Sequence, residues 1–229
     1  MAKRVKRKPR EQARETNWWL IGGIIVVGVI VIFALLFLAL QEPEATTLTQ
    51  FCLDNPENCI FKGAADAPVS IVEVSDYGCS YCRDFNLETA GLLEDLYVTQ
   101  GDVQWIVLPF ALNATTLPAA AAAMCAADQG RFDEFHRRMF EIQGRPTAFT
   151  SDGFNLISGE LGLDHAAFSS CLENAVYDSV IQDNIREASL AGVNSTPTFF
   201  VNDKKFSGNH PLTTFQDEIA SALGTADAN

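Results

Sequence analysis

Basic residues and histidines are scarce in this chain of 229 residues, with 16 Lys and Arg against 29 Asp and Glu and only three histidines. The few cations are also badly spread. Seven of them (Lys3, Arg4, Lys6, Arg7, Lys8, Arg10, Arg14) lie in residues 1–17 with Glu11 and Glu15, so the head carries +5 and the remainder −18. An acidic body of that kind excludes a phosphate-backbone binder, which needs a basic surface. There is one CxxC and no second, and no paired histidines stand where they could complete a tetrahedral zinc site. No metal is therefore expected. Internal repeats and heptads are missing too, so nothing predicts a coiled-coil dimer.

What is present begins with an uncharged apolar run of 23 residues, Trp18 to Leu40, long enough to cross a bilayer as one helix. Trp18 and Trp19 stand at its edge, where interfacial aromatics belong. The basic head before it predicts a cytoplasmic N-terminus and an extracytoplasmic remainder, in the periplasm or at the cell exterior. The rival is a cleaved signal peptide. The run is longer than a signal core, and neither a small-x-small cleavage site nor a lipobox-like cysteine follows it. An uncleaved anchor is the reading adopted.

Six cysteines in an exported domain predict disulfides. Cys79 and Cys82 form one close pair, and Cys52 and Cys59 flank a turn-forming Leu-Asp-Asn-Pro-Glu-Asn. That leaves Cys125 with Cys171, a bridge closing a 47-residue loop. In the chain-entropy model such a bridge stabilises by roughly 4 kcal/mol, and the shorter Cys52–Cys59 loop by about 2.5 kcal/mol. The plain role for both is structural. A sharper one for Cys52–Cys59 is an auxiliary redox pair that exchanges with Cys79 or with a membrane partner.

The chain is organised around Val69-Ser-Ile-Val-Glu-Val-Ser-Asp-Tyr-Gly-Cys-Ser-Tyr-Cys-Arg-Asp-Phe85. Its first six residues are a β-branched run that reads as a buried strand. A Ser-Asp-Tyr-Gly turn then leads to Cys79, after which the pattern is helical, with Phe85, Leu92, Leu93 and Leu96 as core contacts. A cysteine at a helix N-terminus meets unpaired N–H groups and the positive end of the helix dipole, both of which favour the thiolate. The thiolate is the nucleophile of disulfide exchange, and Cys82, one turn on, is placed to resolve a mixed disulfide. A structural bridge and half a zinc site are the alternatives. The strand–turn–helix context favours redox chemistry.

Before the strand, residues 41–59 read as a linker with the Cys52/Cys59 loop, and Pro68 stands at the strand's entry, where a missing N–H costs little. The first helix should end near Gly101, with a second strand at Val103 to Leu108 stopped by Pro109. Residues of roughly 114–190 are helical in character. Ala119 to Ala127 is a helix former, and Phe132, Phe135, Met139 and Phe140 mark an apolar face. Thr198 to Val201 and Lys204 to Phe206 read as a hairpin, Thr213 to Leu223 as a closing helix, and 224–229 as a tail. His136 reads as decorating a helix of the helical block, and His165 and His210 as surface residues.

Three motifs in order resemble the DsbA-like thiol–disulfide oxidoreductases of the thioredoxin superfamily. Asp66-Ala-Pro-Val with Glu73 and Asp76-Tyr-Gly-Cys-Ser-Tyr-Cys-Arg-Asp-Phe85 looks like the family's entry strand and active-site helix. Ala126-Ala-Asp-Gln-Gly-Arg-Phe-Asp-Glu-Phe-His136 is similar to a helix pair of its inserted domain, and Gly192-Val-Asn-Ser-Thr-Pro-Thr-Phe-Phe-Val201 to its cis-proline loop. The likeness spans about residues 60–223. It implies an α/β thioredoxin fold interrupted by a helical domain and preceded here by one transmembrane helix, with dithiol–disulfide exchange on exported proteins.

Carried over by position, the resemblance makes Cys79 the attacking thiolate and Cys82 the resolving thiol. Pro197 becomes the cis-proline facing the CxxC. Thr196 and Tyr81 become substrate-binding residues, Thr196 through backbone groups that pair with an extended peptide. Glu73, six residues before Cys79, becomes a buried acid with a pKa raised by desolvation, able to accept or relay the Cys82 proton. No cofactor beyond the Cys79–Cys82 disulfide is implied. The implied partners are cysteine-containing exported polypeptides and an integral-membrane, quinone-linked re-oxidase of the DsbB or vitamin K epoxide reductase type. Ser80-Tyr81 lacks the histidine of the most strongly oxidising members, so Cys79 should be less stabilised as a thiolate and the protein a weaker oxidant. A reductase or isomerase of the same fold is the first alternative, and a non-catalytic structural or metal-binding module the second.

Overall fold

The β-branched run Val69–Ser75 is the central strand of a five-stranded sheet in the computed structural model, which describes residues 47–202 and 204–226 together with 19, 23 and 26–33. The chain divides into two units, Met1–Ala45 and Thr46–Asn229. In the first, residues 26–33 are helical and exposed. The rest of the expected span 18–40, apart from Trp19 and Gly23, and the basic head lie outside the described residues, as do 41–46 of the linker. Among the described residues, no helix is long and apolar enough to cross a membrane.

The second unit runs α1 (Leu48–Asp54), β1 (Ile60–Lys62), β2 (Val69–Ser75), α2 (Ser80–Glu88), α3 (Ala90–Leu93) and β3 (Val103–Pro109). Five helices follow: α4 (Leu117–Ala127), α5 (Phe132–Ile142), α6 (Ser151–Glu160), α7 (His165–Glu173) and α8 (Asp178–Leu190). The chain closes with β4 (Thr198–Val201), β5 (Lys204–Ser207) and α9 (Leu212–Ala226). The strand order is β1-β3-β2-β4-β5, with β2 parallel to β3 and the other pairs antiparallel. The helical block thus interrupts a strand–helix–strand unit and a hairpin–helix unit that share one sheet.

Strand alternation sorts the core into two faces. Val69, Ile71, Trp105, Val107, Phe199 and Val201 pack with Cys82, Phe85, Phe215 and Ile219. Val72, Val74, Ile106, Leu108 and Phe200 pack with Leu48, Cys52, Cys59 and Ala188. The Cys52–Cys59 disulfide is therefore buried on the face opposite the CxxC helix. Asn184, fully buried on α8, holds that loop: its Nδ2 donates to the Asn58 and Pro109 carbonyls at 2.9 Å each, and its Oδ1 accepts from Asn58 Nδ2 at 3.0 Å. Cys125 and Cys171 are also bonded, joining α4 to α7.

One expectation fails after Glu88. The single helix running to Gly101 is broken at Thr89 and passes from α3 into a π-helical turn at Glu94–Val98. A π turn brings residues five apart onto one side, so Leu93 and Val98 face the core while Leu92 and Leu96 are exposed. The 3.6-residue period that placed Leu92 and Leu96 inside does not survive the break.

Candidate active site

Cys79 is the N-cap residue of α2, and the turn that brings it there is tied down by Asp76. The buried Asp76 carboxylate accepts from the Gly78 N–H at 2.7 Å, from the Leu112 N–H at 2.7 Å and from the Thr116 hydroxyl at 2.5 Å. Gly78 is required by close approach, since a Cβ there would stand 2.8 Å from Thr116 Cγ2 and 3.0 Å from Asp76 Oδ1. From the insertion, Gln143 Nε2 donates to the carbonyls of Tyr77 at 2.6 Å and Cys79 at 2.9 Å. Three parts of the chain thus converge on the turn before the CxxC.

Both cysteines are free thiols, Cys79 half-buried and Cys82 buried. The Cys79 thiol donates to the Thr196 carbonyl at 3.2 Å, and the Thr196–Pro197 peptide bond is cis. Its pKa is lowered to about 5, first by the Cys82 thiol donating to it, then by Thr196 and by the Cys82 and Tyr81 backbone N–H groups at the helix start, which together outweigh partial burial. Burial pushes the Cys82 thiol in the opposite direction. The hydroxyl of Thr196 is buried and unpartnered while the pair is dithiol, which leaves it free to donate to a thiolate. Tyr81 is mostly exposed, on the first turn of α2. With Ser80-Tyr81 between the cysteines, the stabilisation of the Cys79 thiolate comes from hydrogen bonds rather than from a neighbouring cation.

Glu73 is fully buried on the sheet face beneath α2. Its carboxyl accepts from Ser75 Oγ at 2.5 Å, Asn86 Nδ2 at 2.8 Å and Trp105 Nε1 at 3.1 Å. Burial raises its pKa; these donors and the Lys62 ammonium oppose the rise without cancelling it. Asn86 in turn contacts His136 on α5, at 2.9 Å. His136 is buried among Phe132, Phe140 and Tyr77 rather than decorating a surface, and burial lowers its pKa to about 3. His165 is exposed and His210 partly so. Beside Asn86 and His136 lies a cavity of about 210 Å³ whose charged lining includes Lys62, Glu94 and Asp133. Lys62 bridges Glu94 and Asp133 there.

A family model described as thioredoxin matches residues 55–220. The chain belongs to the thioredoxin family. Among curated relatives, the Na(+)/H(+) antiporter NhaA 1 of Salinispora arenicola is 30% identical over 170 residues, 74% of this chain and 25% of that protein. The chain therefore spans about a quarter of the length of the antiporters it matches. Disulfide bond formation protein D of Bacillus subtilis is 26% identical over 148 residues, 62% of this chain and 67% of that one. Among solved structures, a thioredoxin-like oxidoreductase from Silicibacter pomeroyi superposes with a TM-score of 0.63 at 27% identity, covering 73% of this chain and 93% of that chain. BdbD from Bacillus subtilis gives 0.65 at 22%, covering 72% and 92%, a likeness of fold.

In this thioredoxin-family site the structure brings Cys79, Cys82, Thr196 and Pro197 together and sets Glu73 below them. It leaves the Cys125–Cys171 bridge in the insertion and Cys52–Cys59 across the sheet. Asp76, Asn86 and Gln143 were not singled out from the sequence, and His136 was read there only as decorating a helix of the helical block. Asn86 had a signal, as a polar residue four after Cys82 on the apolar face of its helix. So did His136, four residues from both Phe132 and Phe140 on an apolar stripe. Gln143 had none.

Proposed function

We propose that the chain is a membrane-anchored oxidase that introduces disulfides into exported polypeptides. The observation that carries this direction is the asymmetry of the pair, with the Cys79 pKa lowered to about 5 and the buried Cys82 raised. A thiolate stable at neutral pH stabilises the reduced form and so draws electrons from substrates. At about 30 mV per tenfold, a pKa two units below pH 7 raises the potential by about 60 mV.

A substrate thiolate attacks the Cys79 sulfur of the Cys79–Cys82 disulfide. Cys82 leaves, and with its raised pKa it takes a proton, which Glu73 supplies. A second substrate thiolate then attacks the substrate sulfur of the mixed disulfide and expels Cys79, a good leaving group because its thiolate is stabilised. Two electrons pass from two substrate thiols to the pair. The carbonyl of Thr196, beside Cys79, suits an extended substrate backbone, with exposed Tyr81 at the rim.

The apolar run Trp18 to Leu40 and the basic residues before it support an anchor with the catalytic unit outside the cytoplasm. That placement suits re-oxidation by an integral-membrane, quinone-linked partner of the DsbB or vitamin K epoxide reductase type. The test is the Cys79–Cys82 reduction potential of the full chain, equilibrated with glutathione buffers and thiol-trapped. A value less negative than about −200 mV supports an oxidase, whereas one near or below about −270 mV makes the chain a tethered reductase.

A further inference from the structure

Four side chains form a line from the CxxC turn into the insertion and back to Glu73, and the proton positions along it are determined. Asn86 places one amide end 3.1 Å from the Cys82 carbonyl oxygen, which can only accept, so that end is the nitrogen. Its other hydrogen goes to Glu73 Oε1 at 2.8 Å. The amide oxygen then faces His136 Nε2 at 2.9 Å and requires a donor, so the neutral imidazole carries its proton on Nε2. Nδ1 is left bare and accepts the Tyr77 hydroxyl at 2.7 Å. The Nε2–H of His136 satisfies the remaining amide oxygen and so locks Asn86 in the orientation that the Cys82 carbonyl and Glu73 select.

We propose that His136 is a positioning residue for the redox step. By holding Asn86 so that it donates to Glu73, the helical insertion sets the proton affinity of the acid serving Cys82. The proposal rests on the proton-relay reading of Glu73. Without the imidazole donor, the Asn86 oxygen is left unpaired in a buried site, and the amide is no longer held with its N–H aimed at Glu73. The carboxylate then keeps a weaker donor, which raises its proton affinity. The other groups bearing on Glu73 are untouched by that loss. Ser75 and Trp105 donate to it, Lys62 on β1 attracts it, Tyr77 stands on the same turn, and Glu94 and Asp133 offset Lys62 from across the cavity. When Cys82 attacks a mixed disulfide on Cys79, its proton passes to the Glu73 carboxylate, so the pH midpoint of that step reports the carboxyl.

The test uses the full chain carrying a glutathione mixed disulfide on Cys79, with the rate of glutathione release by Cys82 followed against pH. His136→Phe keeps the volume and the ring packing but removes the donor. The midpoint should rise by about one unit. His136→Gln, which returns an N–H, should bring it back toward the wild-type value, and Asn86→Ala should reproduce the shift even if His136→Phe does not fold. In the Glu73→Gln background, His136→Phe should change nothing further. A His136→Phe or Asn86→Ala profile lowered equally at all pH values, or an effect undiminished beside Glu73→Gln, overturns the proposal. If Glu73→Gln alone leaves the profile unchanged, the relay reading fails. The carbon-13 titration of the Glu73 carboxyl then decides the positioning claim, which an unmoved midpoint in His136→Phe overturns.

Discussion

The Cys79 thiol donates to the carbonyl of Thr196 at 3.2 Å, across 117 residues of sequence. The antiparallel pairing of β4 with β2, Val74 opposite Thr198, brings the loop ending at Pro197 up to the start of α2. The reactive sulfur therefore sits between a helix N-terminus and an extended backbone segment, where it can be held as a thiolate and presented to a peptide.

Alkylation should distinguish the two cysteines. With a pKa of about 5, Cys79 is about nine-tenths thiolate at pH 6, where an ordinary thiol is under about 1%. In reduced protein, iodoacetamide should label Cys79 with a half-maximal rate near pH 5 and leave the buried Cys82 unmodified until unfolding. A midpoint near 8 would remove the argument for an oxidase.

Glu73 and His136 should impose opposite slopes on stability against pH. The folded pKa of Glu73 lies above its unfolded value, so its contribution is full below about pH 4.5 and is lost as pH rises through the folded pKa. In Glu73→Gln this decline should vanish, leaving a constant offset because the new amide cannot satisfy Asn86 and Trp105 together. Urea denaturation at several pH values measures it.

His136 works in the other direction. Its folded pKa of about 3 lies below the unfolded value of 6.5, so its contribution is present above pH 6.5 and is lost as pH falls toward 3. The slope is about 1.4 kcal/mol per pH unit. In the wild type the two slopes partly cancel between about pH 4.5 and 6.5. His136→Phe should therefore become more stable on mild acidification, and Glu73→Gln less stable.

The insertion should depend on its disulfide. Cys125 and Cys171 are separated by 46 residues, and removing both, as Cys125→Ala with Cys171→Ala, should cost about 4 kcal/mol in the chain-entropy model. The urea midpoint should fall accordingly. If the loss is confined to the insertion, amide exchange in α4 to α7 should accelerate before exchange in β2 and β3.

The sequence by itself determined what depends on near neighbours. A β-branched run makes β2, a turn and a CxxC make the N-terminus of α2, an alanine-rich stretch makes α4, and spacing sorts the six cysteines into pairs. These follow from periodicity and chain proximity, which a linear pattern records. Only the tertiary structure decided which polar groups are buried together. The line Tyr77–His136–Asn86–Glu73 joins residues 59, 50 and 13 positions apart, the first two bonds made by α5 packing beside α2 and the third by α2 packing on the sheet. Leu92 and Leu96 were misplaced for the same kind of reason, since a π turn changes which side of a helix meets the core. The helix backbone's share in stabilising Cys79 was legible from its place at a helix N-terminus, but the donations from the Cys82 thiol and Thr196 were not, because their reach is a matter of geometry rather than of residue type.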